Sequence, residues 1–281
     1  MPTLRIIDGG PLTTVQDAGR PGLAAQGVGR SGACDRTSYR LANRLVRNDP
    51  GAAVLEVTFG GLALEPSADV TIALTGARCP GVPHAAPFTV QAGQALRLAH
   101  PLAGLRTYVA VRGGIDVAPV MGARSTDVLA GLGPPVVTAG HELPVGPAPR
   151  EFPNVDWAPV REPESGEVQV RVWPGPRNDW FTDDAWATLV GASYQATSDA
   201  DRVGIRLTGP RLERTRLAEL PSEGVLRGAL QIPPSGQPVL FLADHPLTGG
   251  YPVIGYVDDD DTDRCAQLRP GQSIRFLPAS E

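Results

Sequence analysis

Short apolar runs separated by Gly and Pro recur along the whole chain. Leu4–Ile7, Val54–Thr58, Val70–Leu74, Ala95–Leu98 and Thr107–Val111 predict strands in the first half. Val168–Trp173, Val203–Leu207, Val239–Leu242, Ile254–Val257 and Ser273–Phe276 predict their counterparts in the second. Runs this short, closely spaced and bounded by turn residues, point to barrels or sandwiches rather than a parallel α/β sheet. Two stretches carry a helical period instead. Thr37–Val46 places Leu41, Leu45 and Val46 on one face. Thr182–Val190 opens on an N-cap residue, puts Asp183 and Asp184 in the first turn and stops at Gly191. Between the halves, PVGPAPREFPNVDWAPVREPESGE has no apolar period and is rich in Pro and charge, so residues 144–167 read as a linker or edge-hugging connection. The expected division is an N-terminal β module at 1–143 and a C-terminal one at 168–281.

The halves also share fragments. Asp35-Arg36 with Arg40-Leu41 recurs as Asp201-Arg202 with Arg206-Leu207, and Glu56 with Gly61 recurs as Glu223 with Gly228. Gly93-Gln94 recurs as Gly271-Gln272. The two helices do not align under these shifts, so duplication of one β module is a reading that the fragments favour and the helices oppose.

Composition narrows the chemistry. The 281 residues include 33 Gly and 29 Pro, which disfavour helix interiors, and 42% hydrophobic residues, enough for a sizeable core. No apolar run reaches the length of a membrane span, and the start Met1-Pro2-Thr3-Leu4-Arg5 lacks the charged and apolar regions of a signal peptide. Cys34, Cys79 and Cys265 are odd in number and far apart, which suggests a reducing compartment, the cytoplasm, and no disulfide framework. The 25 basic residues are all Arg. Without lysine there is no P-loop lysine, no Schiff base and no biotinyl-lysine on this chain, so any such work lies on another polypeptide. A net charge of −5 with 5% aromatics gives no basic, aromatic-interleaved surface for nucleic acid, and nothing points to a membrane surface.

The individual motifs are weak. Gly27-Val28-Gly29-Arg30-Ser31-Gly32 fits G-x-G-x-x-G, yet no buried strand precedes it, so a turn-rich loop is favoured over a dinucleotide site. Ser31-Gly32-x-x-Asp35 reads first as helix capping. His84, His100, His141 and His245 have no metal-ligand spacing, and no metal is expected. The acid run Asp258–Asp261 with Asp263 reads as a solvated loop. Glu219–Gly224 is a compact carboxylate pair around a proline. Leu242–Pro252 carries Asp244, His245, Thr248 and Tyr251 on a Gly-rich loop, either a site on a rigid scaffold or a hairpin closing a small core.

Taken together, the segments resemble a known family. They are Thr13-Thr14-Val15-Gln16-Asp17-x-Gly19-Arg20-Pro21-Gly22, Ser31-Gly32-Ala33-x-Asp35, Arg40–Val46, Leu55-Glu56-Val57-Thr58-x-Gly60-Gly61 and Leu74–Ala77. Later come Val111-x-Gly113-Gly114-Ile115-Asp116, Arg124-Ser125-Thr126-Asp127, Pro174-Gly175-Pro176, Asp179-Trp180-Phe181, Glu219–Gly224, Thr248–Pro252 and Gln267–Gly271. The chain is similar to the carboxyltransferase A/B family, whose members include allophanate hydrolase subunit 2 and the C-type subunit of 5-oxoprolinase.

The resemblance implies a mainly β protein of two cyclophilin-like barrel subdomains with a few short helices. It implies partners like the A-type and B-type subunits of 5-oxoprolinase, in a hydrolase complex that uses ATP to open 5-oxo-L-proline (pyroglutamate) to L-glutamate. Two other branches exist: a biotin-dependent carboxyltransferase acting on urea or a related amide, with biotin on another chain, and a non-catalytic regulatory partner that antagonises a kinase inhibitor. The family often reads Gln-Thr-Thr-Gly-Gly-Tyr-Pro-Lys where this chain has Pro246–Val253, without the Gln and the Lys.

A cyclic amide needs donors for its carboxylate and carbonyl and a carboxylate to manage protons. Arg20, Arg202 and Arg206, with Ser31, are the candidate substrate-binding residues, because guanidinium holds carboxylates bidentately. Asp35, Glu56, Glu223 and Asp244 are candidate acid, base or orienting groups, and Tyr251 is a candidate donor. For each arginine, a structural ion pair is the competing role.

Overall fold

The computed structural model describes residues 1–216, 218 and 220–279. It divides into two compact units, Met1–Arg20 with Ser31–Asp127 and Gly131–Pro163, and Pro21–Arg30 with Val128–Ala130 and Glu164–Glu281.

Unit 1 contains β1 (Thr3–Gly9), β2 (Leu12–Gln16), α1 (Arg36–Leu45), β3 (Val54–Thr58), β4 (Leu62–Pro66), β5 (Val70–Gly76), β6 (Pro87–Val90), β7 (Leu96–Arg97), β8 (Arg106–Val111) and β9 (Glu142–Pro144). The strands form a five-stranded sheet, β2-β3-β8-β5-β6, and a four-stranded sheet, β7-β4-β1-β9. Both contribute to one apolar core, with Leu55, Val57, Ile72, Leu74, Val109 and Val111 from the first sheet and Leu4, Ile6, Leu62 and Leu64 from the second. Successive residues on a strand face opposite ways. The alternate positions Val54, Ala73, Tyr108 and Ala110 therefore lie on the other face, packed with Tyr39, Ala42 and Leu45 of α1. Cover on both faces explains why β3, β5 and β8 read as near-continuous apolar runs. The Pro-rich segment is tied along this unit: Arg112 donates to the carbonyls of Pro149 and Glu151, Arg47 pairs with Glu151, and Ala158 N–H donates to Ala85 O.

Unit 2 contains β10 (Val168–Pro174), α2 (Asp183–Gly191), β11 (Ser193–Ala200), β12 (Gly204–Thr208), β13 (Glu223–Gly224), β14 (Ala229–Gln231), β15 (Val239–Phe241), β16 (Thr248–Gly249), β17 (Val253–Val257), α3 (Asp259–Cys265) and β18 (Ser273–Pro278). Seven strands close into a barrel, β10-β17-β14-β15-β12-β11-β18, with β10 and β18 parallel. In β10, Val168, Val170 and Val172 are buried while Gln169, Arg171 and Trp173 are exposed. β13 and β16 form a separate two-stranded ribbon.

The mainly β expectation holds, and the halves differ in how they close: unit 2 is a hydrogen-bonded barrel, unit 1 two sheets over one core. All ten predicted strands overlap observed ones. Thr182 is the N-cap of α2, but its side chain makes no capping bond. The largest difference is the acid run. In place of a solvated loop, Asp258 caps a helix and Asp259–Asp261 fill its first turn, where the helix dipole favours negative charge. Mutual repulsion is offset by two arginines distant in sequence and one within the helix. Arg171 binds Asp258 and Asp261, Arg227 binds Asp259 and Asp263, and Arg264 binds Asp261. The Gly27–Gly32 segment follows a short 3₁₀ turn, Ala24–Gln26, rather than a strand, so the dinucleotide motif lacks the β-turn-α context it needs.

Candidate functional site

In unit 1 three sequence motifs meet. Asp17, just past β2, grips the Arg124–Asp127 segment: its carboxylate accepts from the Ser125 hydroxyl, from Gly19 N–H at 2.8 Å and from Arg124 N–H at 2.5 Å. The amide of Gln16 donates to Thr126 O at 2.8 Å, and Thr126 N–H donates to Val15 O at 2.9 Å. Ser31 adds a hydroxyl bond to the same Thr126 carbonyl at 3.3 Å. Arg20 Nη2 donates to Ser125 O at 2.5 Å, and its Nη1 lies 4.0 Å from the Asp127 carboxylate. Gly32 makes the close approach feasible: its φ is +94°, and a Cβ there would sit 3.0 Å from Gly19 N. Beside it, Ser31 holds φ +54° although it carries a side chain. Such strain persists only where the surroundings over-determine it, and it concentrates at functional sites.

The loop that runs on from Ser31 into α1 leads to a buried carboxylate. Asp35 is the N-cap of α1, accepting from Ser38 N–H at 2.9 Å and from the Ser38 hydroxyl at 2.6 Å. Glu56 of β3 and Tyr108 of β8 are cross-strand neighbours on the α1 side of the sheet. Glu56 is 1% exposed. Its Oε2 accepts from Cys34 N–H at 2.9 Å and from the Tyr108 hydroxyl at 2.8 Å, and Asp35 N–H donates to that hydroxyl at 2.7 Å. Arg106 Nε stands 3.6 Å from Glu56 Oε1. Burial, reinforced by the Glu56 and Asp35 carboxylates, pushes the Tyr108 phenol well above its ordinary pKa, so it stays a neutral donor. The structure thus brings Asp35 and Glu56 into one network through Tyr108, with Arg20 and Ser31 anchored on neighbouring carbonyls of the Ser125–Thr126 segment.

In unit 2 the predicted residues separate into distinct settings. Arg202 and Asp244 are fully buried and pair bidentately, Nε to Oδ2 at 2.9 Å and Nη2 to Oδ1 at 3.0 Å. Asp244 Oδ2 also accepts from Val128 N–H at 3.0 Å, and Asp244 N–H donates to Arg202 O at 2.9 Å. Glu223 is half-buried and forked onto Arg177, with Nε to Oε2 at 2.9 Å and Nη2 to Oε1. The β13–β16 ribbon pairs Glu223 with Gly249 and Gly224 with Thr248, so the Glu219–Gly224 and Thr248–Pro252 motifs are joined there, with Glu219 outside the described residues. Tyr251 follows the ribbon and is 44% exposed. Its carbonyl accepts from Gln231 Nε2 at 3.1 Å. Arg206 stands apart on β12, lining an open groove of about 390 Å³ with Asp199, Asp201 and Phe241. Val253, where the family often has Lys, is buried in an apolar cluster with Val225, Ala229 and Phe241, so this position carries no cation.

Several participants carried a signal that sequence reasoning left unused. Tyr108 occupies the position on β8 whose side chain shares a face with Glu56, which strand alternation gives. Arg177 directly follows Pro174-Gly175-Pro176. Asp17 and the Arg124–Asp127 segment lie in motifs without an assigned role, because their partnership spans more than a hundred residues.

The family model described as the carboxyltransferase domain, subdomain A and B, matches residues 26–278. The chain is 39% identical over 286 residues to the C-type subunit of 5-oxoprolinase from Escherichia coli (strain K12), covering 99% of this chain and 91% of that protein. It is 30% identical over 304 residues to the urea amidolyase of Saccharomyces cerevisiae, covering 96% of this chain and 16% of that one. The crystal structure of the K. lactis urea amidolyase superposes with a TM-score of 0.93 at 27% identity, over 99% of this chain and 19% of that one. The motifs that unit 1 clamps together and unit 2 joins through its ribbon are thus parts of one ordered family pattern, and the chain belongs to the carboxyltransferase A/B domain family.

Proposed function

We propose that this chain is the C-type component of an ATP-dependent 5-oxoprolinase, which with A-type and B-type partners hydrolyses the lactam of 5-oxo-L-proline to give L-glutamate. The observation that carries the reading is the 39% identity to a 5-oxoprolinase component of that type, sustained along 99% of this chain. The apolar burial of Val253 counts against carboxyl transfer where that reaction draws on the lysine the family often carries there as an electrophilic stabiliser. Lactam opening adds water across the C–N bond: the carbonyl carbon becomes a carboxylate and the nitrogen leaves as an amine that takes up a proton. Donors must hold the substrate's carboxylate and the developing charge on its carbonyl oxygen, and a carboxylate must accept the proton from water.

We assign substrate binding to Arg20 and Ser31, with Arg202 and Arg206 as the further guanidinium candidates. Asp35 and Glu56, carrying N–H and O–H bonds from the Ser31–Ser38 stretch and Tyr108, are assigned to orientation. Glu223 is the half-buried carboxylate open to solvent and Tyr251 the exposed hydroxyl near its ribbon, which makes Glu223 the acid/base candidate. Asp244 orients Arg202. ATP is consumed by the complex, and the lysine-borne part of phosphate binding belongs to another chain, since this one has none.

The test is reconstitution. The purified chain, mixed with its A-type and B-type partners, is expected to release glutamate from 5-oxo-L-proline only when ATP is present. A verified assembly of all three chains that releases none would remove the reading and leave the regulatory branch. Consumption of urea with carboxybiotin by the same preparation would favour the carboxyltransferase branch.

A further inference from the structure

The arginines singled out as anion holders are not equivalent. Arg202 spends Nε and Nη2 on both oxygens of Asp244. Arg206 is solvent-exposed on the rim of an open groove, where water can satisfy it. Arg20 has neither solution. Its side chain has no exposed surface, its Nη2 reaches Ser125 O, and both Nε and Nη1 are buried without a hydrogen-bond partner. The Asp127 carboxylate is 4.0 Å from Nη1, too far for a hydrogen bond. Two buried donors of one guanidinium without a hydrogen-bond partner leave an acceptor to be supplied.

The backbone around Arg20 is over-determined in a way that a surface arginine does not need. Asp17 and Ser31 hold the two segments that flank it, and Ser125, whose carbonyl orients the guanidinium, is itself fixed by Asp17. The Gly131–Pro134 turn closes over it: Gly133 has φ +91°, and a Cβ there would lie 3.2 Å from Arg20 Nη2 and 2.0 Å from Ser125 O. With no exposed side-chain surface, the missing acceptor is either sealed in or enters when this turn moves aside.

We infer that Arg20 is the carboxylate anchor of the substrate site: its Nε and Nη1 donors take a small carboxylate, while Ser125 O and Asp127 hold the guanidinium in place as positioning groups. This deepens the 5-oxoprolinase reading and rests on it for the identity of the carboxylate. A carboxylate is the occupant that this donor set suits best, because guanidinium presents parallel N–H bonds to its oxygens and gains charge assistance.

The test follows the Arg20 Nε–H resonance in the ¹⁵N-labelled full chain. The signal is assigned by its loss in R20K, which keeps the charge, or by through-bond connectivity if that variant does not fold. Sodium 5-oxo-L-proline is expected to shift it, and acetate to shift it more weakly, whereas 2-pyrrolidinone, the same lactam without the carboxylate, leaves it in place. A response to 2-pyrrolidinone equal to that of 5-oxo-L-proline would overturn the assignment, because the carbonyl would then be the ligand. An equal response to chloride, or no response to any probe, would also overturn it and leave Arg20 a structural group. In the reconstituted complex R20Q is expected to raise KM for 5-oxo-L-proline by roughly tenfold or more, with kcat changed less. Glutamate release together with a silent Arg20 would sink this inference alone. A responsive Arg20 in a complex that releases no glutamate would sink the 5-oxoprolinase reading alone.

Discussion

Two arginines, one in each unit, have no exposed side-chain surface, and the chain treats them in opposite ways. Arg202 in unit 2 is answered by a carboxylate at bidentate distance, which in turn accepts a backbone N–H. Arg20 in unit 1 has one backbone carbonyl and a carboxylate held 4.0 Å away. The first arrangement is closed: adding a ligand would mean breaking a buried ion pair. The second is rigid but chemically incomplete. Burial alone therefore does not distinguish these two arginines; the count of satisfied donors does.

The comparison breaks most visibly at the carboxylates. D244A takes the bidentate carboxylate away from buried Arg202, and removing one partner of a buried pair costs about 3–5 kcal/mol. Removing both charges in R202M/D244L is expected to recover most of that loss, since a well-packed apolar pair of similar volume is close to neutral. D127A, at a pair that is not hydrogen-bonded, is expected to cost about 1–2 kcal/mol, near the net worth of an ordinary polar contact. Urea denaturation of the three variants measures all of this. Equal losses for D244A and D127A would contradict this ranking of the two carboxylates.

A loss smaller than that of D244A should follow from the backbone around Arg20. Gly133 has a positive φ, and an alanine Cβ would overlap the Ser125 carbonyl that orients the guanidinium. G133A is expected to destabilise by about 1–3 kcal/mol, the range for a side chain forced into that conformation, and to disturb the Arg20 Nε–H resonance. G81A, at a positive-φ glycine where a Cβ meets nothing within 4 Å, serves as the control for backbone strain without the clash. Next comes the neutral network beside α1. Y108F removes a hydroxyl that donates to Glu56 and accepts from Asp35 N–H, taking one hydrogen bond from each of two buried groups, and is expected to cost about 1–3 kcal/mol. Unlike D244A it removes no charge from a buried ion pair, so its loss should be the smaller of the two.

How much of this was legible in the sequence follows from how local each feature is. The apolar strands were readable because alternation and turn residues are local signals, and Val54–Thr58 coincides with its observed strand. β2 and β11 were missed because LTTVQ and SYQATSDA are polar enough to read as loop; β2 owes its place to distant β3, and β11 to distant β18 as well as to its neighbour β12. α3 was missed for an electrostatic reason: its acids repel one another, and beside the local Arg264 the balancing charges, Arg171 and Arg227, arrive only through the fold. The shared fragments divide in the same way. Gln94 and Gln272 close matching turns, each accepting from the N–H three residues earlier and donating back to that residue's carbonyl. Asp35 and Asp201 do not match, since one caps a helix and the other folds back onto Val203 and Gly204 N–H in a hairpin. Residue types in the site were readable, but partnerships such as Asp17 with Ser125 and Arg202 with Asp244 were not, because nothing local encodes them.

The smallest expected effect separates the units by pH. In unit 1, burial lowers the pKa of His84 below its ordinary 6.5, with the Glu162 carboxylate opposing and Arg78 assisting, and its Nδ1 is buried without a partner. A folded-state value below the unfolded one means that the unfolded chain takes up the proton first as pH falls. Stability is then lost from about the ordinary histidine value downward and levels off once the folded imidazole is also protonated. In unit 2, burial pushes Asp261 upward, but hydrogen bonds from Arg171 and Arg264 prevail and hold it below its ordinary 3.8. That contribution is fully present above the unfolded value and disappears as pH falls through the folded one. Mild acidification from about pH 7.5 to about 5.5 should therefore weaken the chain through His84 and leave the Asp261 contribution untouched. H84Q is expected to flatten the slope of thermal stability across that range, whereas D261N should lower stability at both pH values without changing the slope. A D261N slope that flattened in this range, with H84Q unchanged, would place the titrating group in the wrong unit.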